Sequence, residues 1–231
     1  AAALVDRRQQ VCEVDPPRTH GVDVVGAIRL MQSGIGKVFF ALGGNFAAAT
    51  PDTFATWKAL RRCALTVHVA TKLNRSHLVH GAEALILPCL GRTEIDLQQG
   101  GRQAISVEDS MSMVHLSSGM NAPASPHLLS EPMIVARLAQ ATLKNSKTPW
   151  QWLVDDYDRI RDKIAAVFDD FADFNARVKV PGGFHLRNRA AERLWIPPTG
   201  KANFHVHAVP VDLPIHRARQ GKQGSSQRVF N

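Results

Sequence analysis

The chain has 231 residues, of which 45% are hydrophobic, 21% charged and 6% aromatic. This balance excludes collagenous and strongly disordered proteins, and the length suits one full domain or two small ones. The net charge of +8 is uneven, because four basic residues and no acid lie beyond Asp212: Arg217, Arg219, Lys222 and Arg228. Subtracting those four leaves only +4 on residues 1–212, so nucleic acid is not an expected partner.

Membrane-spanning, secreted and metal-cluster proteins are also disfavoured by the sequence. No stretch approaches the ~20 consecutive apolar residues of a membrane-spanning helix, and the first residues place apolar side chains before charges, unlike a secretory signal. The three cysteines, Cys12, Cys63 and Cys89, form no C-x-x-C pair, so they complete neither a zinc ribbon nor an iron–sulfur site. We therefore predict a cytoplasmic protein with reduced cysteines and no membrane span.

Helices and strands are predicted to alternate after an irregular segment at residues 1–20. Helical spacing of apolar residues predicts a helix over residues 22–31, and Thr50 as N-cap with Pro51 at the first helical position predicts a second. Short apolar runs predict buried strands over residues 37–42, 65–69 and 84–87, with a helical turn at residues 78–81. This alternation is typical of βαβ units. We therefore predict an α/β fold for residues 21–145, an open, mostly parallel, Rossmann-like sheet with flanking helices.

The rest of the chain is predicted to be a helical segment followed by an irregular tail. After an extended piece at residues 103–107 and a long irregular passage, Ser130, Glu131 and Pro132 predict the start of a helix that reaches Leu143. Further helical patterns over residues 149–168 and 171–178 predict a helical connector at residues 146–180. We expect residues 181–212 to begin a C-terminal domain and residues 213–231 to form a basic disordered tail.

The first candidate site is the sequence Gly43, Gly44 and Asn45 at the end of the first predicted strand. Ligands of open α/β sheets bind at the carboxyl ends of strands, and paired glycines let backbone N–H groups approach a phosphate. The sequence matches neither G-x-G-x-x-G nor the P-loop pattern, which argues against a standard nicotinamide or ATP site. An ordinary glycine turn is the alternative interpretation.

The second candidate site is the polar segment of residues 71–77, which follows the second predicted strand. The side chains predicted to contact a ligand are Thr71, Lys72, Asn74, Arg75 and His77. Two cations among closely spaced hydrogen-bonding groups, without an acid or a glycine, favour the diphosphate or the base of a nucleotide. The alternative is a solvated loop in which Ser76 caps the following turn.

A third group of charges follows the third predicted strand. Arg92, Glu94, Asp96 and Arg102 either contact a ligand or form an ion-pair network that holds the loop. Glu131 lies in the first turn of a predicted helix, where the helix dipole favours an acid. The ten histidines show no H-x-x-x-H or H-E-x-x-H spacing, and no Ser/His/Asp set is visible. We therefore predict no metal ligand and no catalytic residue in this chain.

Eight short motifs follow one another along most of the sequence: PRTHGVD (residues 17–23), ALGGNF (41–46), ATPD (49–52), TKLNRSH (71–77), LILPCLGRTEID (85–96), VEDSMSMVH (107–115), LSEP (129–132) and TGKANF (199–204). In this order they resemble the catalytic subunit of the formate-dehydrogenase-like molybdopterin oxidoreductases. The resemblance covers about residues 16–206.

The resemblance implies a nucleotide cofactor for the predicted α/β domain. In that family two molybdopterin guanine dinucleotides hold one molybdenum, and related α/β domains each bind one dinucleotide. By this resemblance Gly44 and Asn45 approach the pterin and diphosphate, Thr71 and Lys72 contact the guanosine end, and Glu131 pairs with guanine nitrogens. Arg92 and Glu94 fall near the matching loop at a strand end.

The sequence also departs from this family. The N-terminal iron–sulfur region and the segment carrying a protein ligand to molybdenum have no counterpart, so the 4Fe–4S cluster that the family implies is not ligated by this chain. The final dinucleotide-binding barrel is not matched after Val206, and no methionine begins the sequence. We therefore expect a fragment of a larger enzyme, inactive alone, whose partners are a small-molecule substrate, the nucleotide cofactor and the remainder of the oxidoreductase. The alternative is a noncatalytic nucleotide-binding or interaction module that keeps the fold.

Overall fold

The computed structural model of the protein describes residues 2–206. They belong to two compact units, the first ending at Arg187 and the second beginning at Asn188. The described helices are, in chain order, α1 (Ala2–Cys12), α2 (Val24–Ser33), α3 (Phe46–Ala49), α4 (Thr53–Leu60), α5 (Glu131–Thr142), α6 (Trp150–Asp155), α7 (Tyr157–Val167) and α8 (Phe174–Val178). The described strands are β1 (Val38–Leu42), β2 (Leu65–Ala70), β3 (Glu83–Pro88), β4 (Leu97–Gln98), β5 (Gly101–Arg102), β6 (Ile105–Glu108), β7 (Met113–Ser117) and β8 (Phe184–His185). Short 3-10 turns cover Arg75–Leu78 and Asp169–Phe171.

The first three strands form a parallel sheet in the order β1-β2-β3. Val38 lies opposite Leu65, and Leu65 lies opposite Glu83. The carboxyl ends of all three strands therefore meet at one edge, which is called the carboxyl edge below. The other two sheets, β4–β5 and β6–β7–β8, are antiparallel. The predicted α/β class, with a parallel sheet and flanking helices, is confirmed.

One face of the parallel sheet packs against a pair of helices. The helices α2 and α4 contact each other, and their buried side chains form a core with Cys63 and the half-buried Phe39 of β1. Alternate residues of β1, Val38, Phe40 and Leu42, point away from this core and are exposed. Among the described residues, only one face of β1 is covered. The prediction of a buried strand, covered on both faces, is therefore wrong for β1.

The start of the second predicted helix is corrected by the structure. Asp52, not Thr50, is the N-cap of α4, and its carboxylate accepts a hydrogen bond of 2.9 Å from the backbone N of Ala55. Asp is at least as effective as Thr at this position, because its side-chain oxygen satisfies a free N–H of the first turn. Thr50 is buried instead, with its hydroxyl 2.6 Å from that of Thr56.

The N-terminal segment was expected to be irregular, but α1 covers Ala2–Cys12. Polar contacts with distant residues hold it in place. Arg7 donates to the backbone O of Val167 at 3.1 Å, and Lys163 donates to the backbone O of Val11 at 2.6 Å. These partners lie 160 and 152 residues apart in sequence, so no local pattern could have predicted them.

A second core joins β7 and β8 to the later helices. Val114, Phe174, Val178 and Phe184 are its buried members. Strand β7 lies inside the passage predicted to be irregular, where serine and histidine residues obscure its alternation. The predicted helix after Ser130 is confirmed as α5, with Ser130 as its N-cap. It packs against α6 and shares a third core with Val154 and Tyr157.

The proposed boundaries of the domains stay predictions. Helices α6, α7 and α8 lie in the same compact unit as the parallel sheet. The predicted tail at residues 213–231 and the end of the segment 181–212 lie outside the described residues. Within residues 2–206, no helix has the length and apolar character needed to cross a membrane.

Candidate functional site

The candidate site is built where four predicted segments meet at the carboxyl edge. Gly43 follows β1, and its backbone N donates to the backbone O of Val69 at 2.8 Å. A Cβ placed on Gly43 would lie 3.7 Å from Oε1 of Glu131. A Cβ placed on Gly91, just after β3, would lie 3.9 Å from Cγ2 of Thr71. The structure therefore brings together the ends of β1 and β2, the loop after β3 and the start of α5.

Backbone pairing explains how Glu131 reaches this edge from far along the chain. Cys89 and Leu129 form a parallel bridge, and the N of Leu90 donates to the O of Leu129 at 2.9 Å. The chain thus runs beside the end of β3 before α5 begins. Glu131 is the first residue of α5 and is half-buried, so its carboxylate faces the glycine turn after β1.

The glycine turn and the polar segment after β2 are fixed to each other. Nδ2 of Asn74 donates to the O of Gly44 at 2.8 Å. The hydroxyl of the buried Ser76 donates to Oδ1 of Asn45 at 3.1 Å and accepts from the N of Ala47 at 3.0 Å. Gly43 and Gly44 have φ of 70° and 75°, a region where a side chain is disfavoured. The first two candidate sites thus form one continuous polar surface.

Some predicted contacts have internal partners. His77 is buried, and its Nδ1 accepts a hydrogen bond of 2.9 Å from the N of Asn74. Asn74, not Ser76, caps the following 3-10 turn. His77 lies against the ring of His68, 4.9 Å away between centroids, and Nε2 of both rings has no partner among the described residues. Burial and the nearby His77 lower the pKa of His68. The contact of Asn74 and His77 with a ligand stays a prediction.

Three cations at the edge have no internal partner. Lys72, Arg75 and Arg92 are exposed, and within residues 2–206 none of them makes a hydrogen bond or an ion pair. The carboxylate of Glu131 likewise accepts no hydrogen bond from the described residues. These four charged groups are therefore available to a ligand.

An ion-pair network in the loop after β3, one of the two alternatives left open by the sequence, is not observed among residues 2–206. The carboxylate of Glu94 accepts from the backbone N of Gly91 and of Ala124, both at 2.6 Å. These backbone N–H groups hold the pKa of Glu94 below its usual value. Arg102 donates to the backbone O of Gly119 rather than to an acid. The side chains of Glu94 and Arg102 therefore stabilise the loop by hydrogen bonds to its backbone and not by pairing with each other.

Two cavities open beside this loop. A small one of about 70 Å³ is lined by Glu94, Asp96, Ser130 and Glu131, among others. A larger one of about 730 Å³ lies between the loop after β3 and the strands β6 and β7. Arg92 lines both cavities. The two cavities are therefore neighbours, and they share a guanidinium group that has no partner among residues 2–206.

Sequence reasoning missed a buried hydrogen-bond network under the small cavity. Tyr157 lies with its hydroxyl 2.6 Å from the hydroxyl of Ser130 and donates to Oδ2 of Asp96 at 2.5 Å. Its backbone N donates to Oε1 of Gln103 at 2.8 Å. Asp96 and Tyr157 are 61 residues apart, and no local signal links them. The only sequence hint was the lone tyrosine of the chain.

Metal binding is not suggested by the described residues. Among residues 2–206, no group of three or more His, Cys, Asp or Glu side chains could hold a metal ion. Cys89 is buried near the site, and burial, with Glu131 and Glu94 nearby, raises its pKa to about 11. It is therefore a neutral thiol that packs beneath the edge.

The sequence is similar to several known proteins, although no family model matches it. It is 55% identical over 196 residues to an uncharacterized oxidoreductase of Mycobacterium tuberculosis strain H37Rv, covering 84% of this chain and 25% of that protein. It is 51% identical over 189 residues to protein YdeP of Escherichia coli K12, covering 82% of this chain and 25% of YdeP. The chain thus spans about a quarter of the length of the curated relatives that it matches.

Proposed function

We propose that this chain is the part of a molybdenum-dependent, formate-dehydrogenase-like oxidoreductase that binds one guanine dinucleotide of a bis-molybdopterin cofactor. One observation supports this most: the carboxylate of Glu131 lies against the glycine turn, at an edge that also carries three cations, and none of these four groups has a partner among residues 2–206. The name of the mycobacterial relative, an oxidoreductase, supports a redox role for the longer protein.

The chemistry of the side chains suits a guanine nucleotide. Guanine presents two neighbouring N–H donors on its pairing edge, and a carboxylate can accept both. Adenine presents an acceptor at one of these positions and a C–H group at the other, so Glu131 would select guanine. Lys72, Arg75 and Arg92 would neutralise a diphosphate. The absence of a Cβ on Gly43 and Gly44 leaves room beside Glu131 for a ligand to approach the backbone.

The role of this chain in the reaction is to hold and orient the cofactor. When bound, the molybdenum of the cofactor would supply two-electron transfer with a small-molecule substrate. The residues of this chain would fix the nucleotide end, with Glu131 setting the position of the base and the cations that of the diphosphate. The remainder of the longer oxidoreductase would supply the metal environment and the site for the substrate.

Titration calorimetry with guanosine 5′-monophosphate (GMP) and adenosine 5′-monophosphate tests this proposal. We expect the chain to bind GMP, and to bind the adenosine nucleotide at least about tenfold more weakly, because adenine lacks both N–H donors that the carboxylate of Glu131 would accept from. Glu131→Gln should weaken GMP binding by about tenfold or more, because the uncharged Gln side chain has one accepting oxygen and can satisfy only one of the two guanine N–H donors.

The matched control is Glu83→Gln. Glu83 is exposed and begins β3 at the opposite edge of the same sheet, so its substitution should leave GMP affinity unchanged. Equal GMP affinity in Glu131→Gln and the unaltered chain would refute the proposed site, as would equal binding of the two nucleotides.

A further inference from the structure

Tyr157 is buried between two of the segments that line the small cavity, the loop after β3 and the start of α5. It is the first residue of α7 and only 3% exposed. Its hydroxyl lies between the hydroxyl of Ser130 and the carboxylate of Asp96, at 2.6 and 2.5 Å. A buried hydroxyl with two polar partners fixes both of them, because breaking either bond leaves a buried group unsatisfied.

The direction of these hydrogen bonds follows from the groups involved. An ionised carboxylate only accepts, so the hydroxyl of Tyr157 donates to Asp96. The hydroxyl of Ser130 then donates to the oxygen of Tyr157, and its own oxygen accepts from the N of Met133 at 3.4 Å. The second carboxylate oxygen of Asp96 accepts from Gln98 at 2.5 Å. One continuous chain of bonds thus runs from the loop after β3 into the first turn of α5.

This series of hydrogen bonds reaches Ser130, the residue before Glu131. Ser130 is the N-cap of α5, so its conformation sets where the helix begins and how the next residue is directed. Asp96, Ser130 and Glu131 all line the same small cavity, whereas Tyr157 is not among its lining residues. Tyr157 therefore contacts the frame that carries Glu131 and not the space that a ligand would fill.

We propose that Tyr157 is a positioning residue that holds the carboxylate of Glu131 in the orientation needed to accept from a guanine base. This inference rests on the proposed function, because it assigns to Tyr157 an effect on the ligand transmitted through Ser130 and Glu131. It goes beyond stability, since a purely structural tyrosine would alter folding without changing what Glu131 recognises.

A double-mutant cycle on the 231-residue chain tests the proposal, with GMP as the ligand and calorimetry as the readout. Tyr157→Phe keeps the ring and removes the hydroxyl, so we expect GMP to bind about three- to tenfold more weakly, the worth of one hydrogen bond. If Tyr157 acts through Glu131, the same substitution should cause no further loss in the Glu131→Gln background.

The matched control is Trp150→Phe. It removes one hydrogen bond of a half-buried aromatic residue that packs on the same core as Tyr157, the 3.2 Å bond from Nε1 of Trp150 to Ser146. Among the described residues, the side-chain hydrogen bonds of Ser130 go to Tyr157 and Met133 and not to Trp150, so GMP affinity should be unchanged although stability falls.

A spectroscopic signal tests the same proposal without any substitution at Tyr157. Because the chain contains one tyrosine, tyrosine labelled with ¹³C at Cζ gives a single resonance. We expect GMP to shift this resonance in the unaltered chain but not in Glu131→Gln, with each protein measured at a GMP concentration that saturates it.

The outcomes separate this inference from the proposed function. If the unaltered chain binds no GMP, both are wrong. If it binds GMP, the positioning role of Tyr157 alone is overturned by either of two results: full affinity in Tyr157→Phe, or an equal loss with and without Glu131.

Discussion

At the scale of single residues, the carboxyl edge combines charges that are satisfied internally with charges that are not. Both oxygens of Glu94 accept from backbone N–H groups, whereas Glu131 accepts from none of the described residues. A half-buried carboxylate without a partner costs free energy unless a ligand or water satisfies it. The residues best placed to act on a ligand are therefore Glu131 and the three cations that have no partner in the described part of the chain, Lys72, Arg75 and Arg92.

The ionisation of Tyr157 gives a prediction at the same scale. Burial, together with the hydrogen bond to Asp96, raises the pKa of Tyr157 above the ordinary value of 10.0. The folded state therefore disfavours tyrosinate, so the stability contributed by this group is full below pH 10 and declines as the pH rises further. Because the chain has one tyrosine, ultraviolet absorbance reports on this residue alone.

We expect no tyrosinate absorbance at pH 10 while the chain stays folded, and its abrupt appearance when the chain unfolds at higher pH. Denatured chain is the control, and it should be half-ionised near pH 10. Half-ionisation at that pH with intact circular dichroism would show that Tyr157 is not buried as described.

At the scale of elements, the site depends on a link between the turn after β1 and the 3-10 turn after β2. Ser76 makes this link, since it is 1% exposed and bonds to both Asn45 and Ala47. Ser76→Ala would leave the buried N of Ala47 unsatisfied, so we expect the free energy of unfolding to fall by about 1–3 kcal/mol.

Urea unfolding followed by circular dichroism measures this loss. Ser110→Ala is the control, because Ser110 is exposed and its substitution should change stability by less than about 0.5 kcal/mol. Equal stability of the two variants would mean that Ser76 does not link the two turns.

The elements also show what sequence reasoning could reach. The runs that became β1, β2 and β3 are short and apolar, and they are followed by Gly43, by the polar segment of residues 71–77 and by a break at Pro88, so apolar runs and breakers locate them. Strand β7 was missed because its polar residues obscure the alternation, and α1 was missed because polar contacts with α7 hold it. The cap of α4 was misplaced by two residues, since Thr50 and Asp52 are both good N-caps and only packing decides between them.

At the scale of the whole molecule, the topology explains why the candidate site could be predicted in outline. The sequence placed each of the three candidate segments directly after a predicted strand, and in a parallel sheet the residues after successive strands meet at one edge. The sequence could not place Glu131 beside Gly43, because that contact depends on the pairing of Cys89 with Leu129 forty residues along the chain. The contact between Asp96 and Tyr157 was not predicted either, because it also joins residues that are distant in sequence.

The proposed function belongs to a molecule larger than the described residues, as the chain spans about a quarter of its curated relatives. Its central claim nevertheless concerns only this chain: a guanine nucleotide binds at the carboxyl edge of β1, β2 and β3. The location of binding can therefore be measured directly on the 231-residue chain.

The most direct measurement is the change in backbone amide resonances on titrating the ¹⁵N-labelled chain with GMP. We expect the largest shifts at Gly43, Gly44, Thr71, Arg92 and Glu131, where the strand ends meet. Shifts confined to the strands β6 and β7 around the larger cavity, with the strand ends unchanged, would contradict the proposed site.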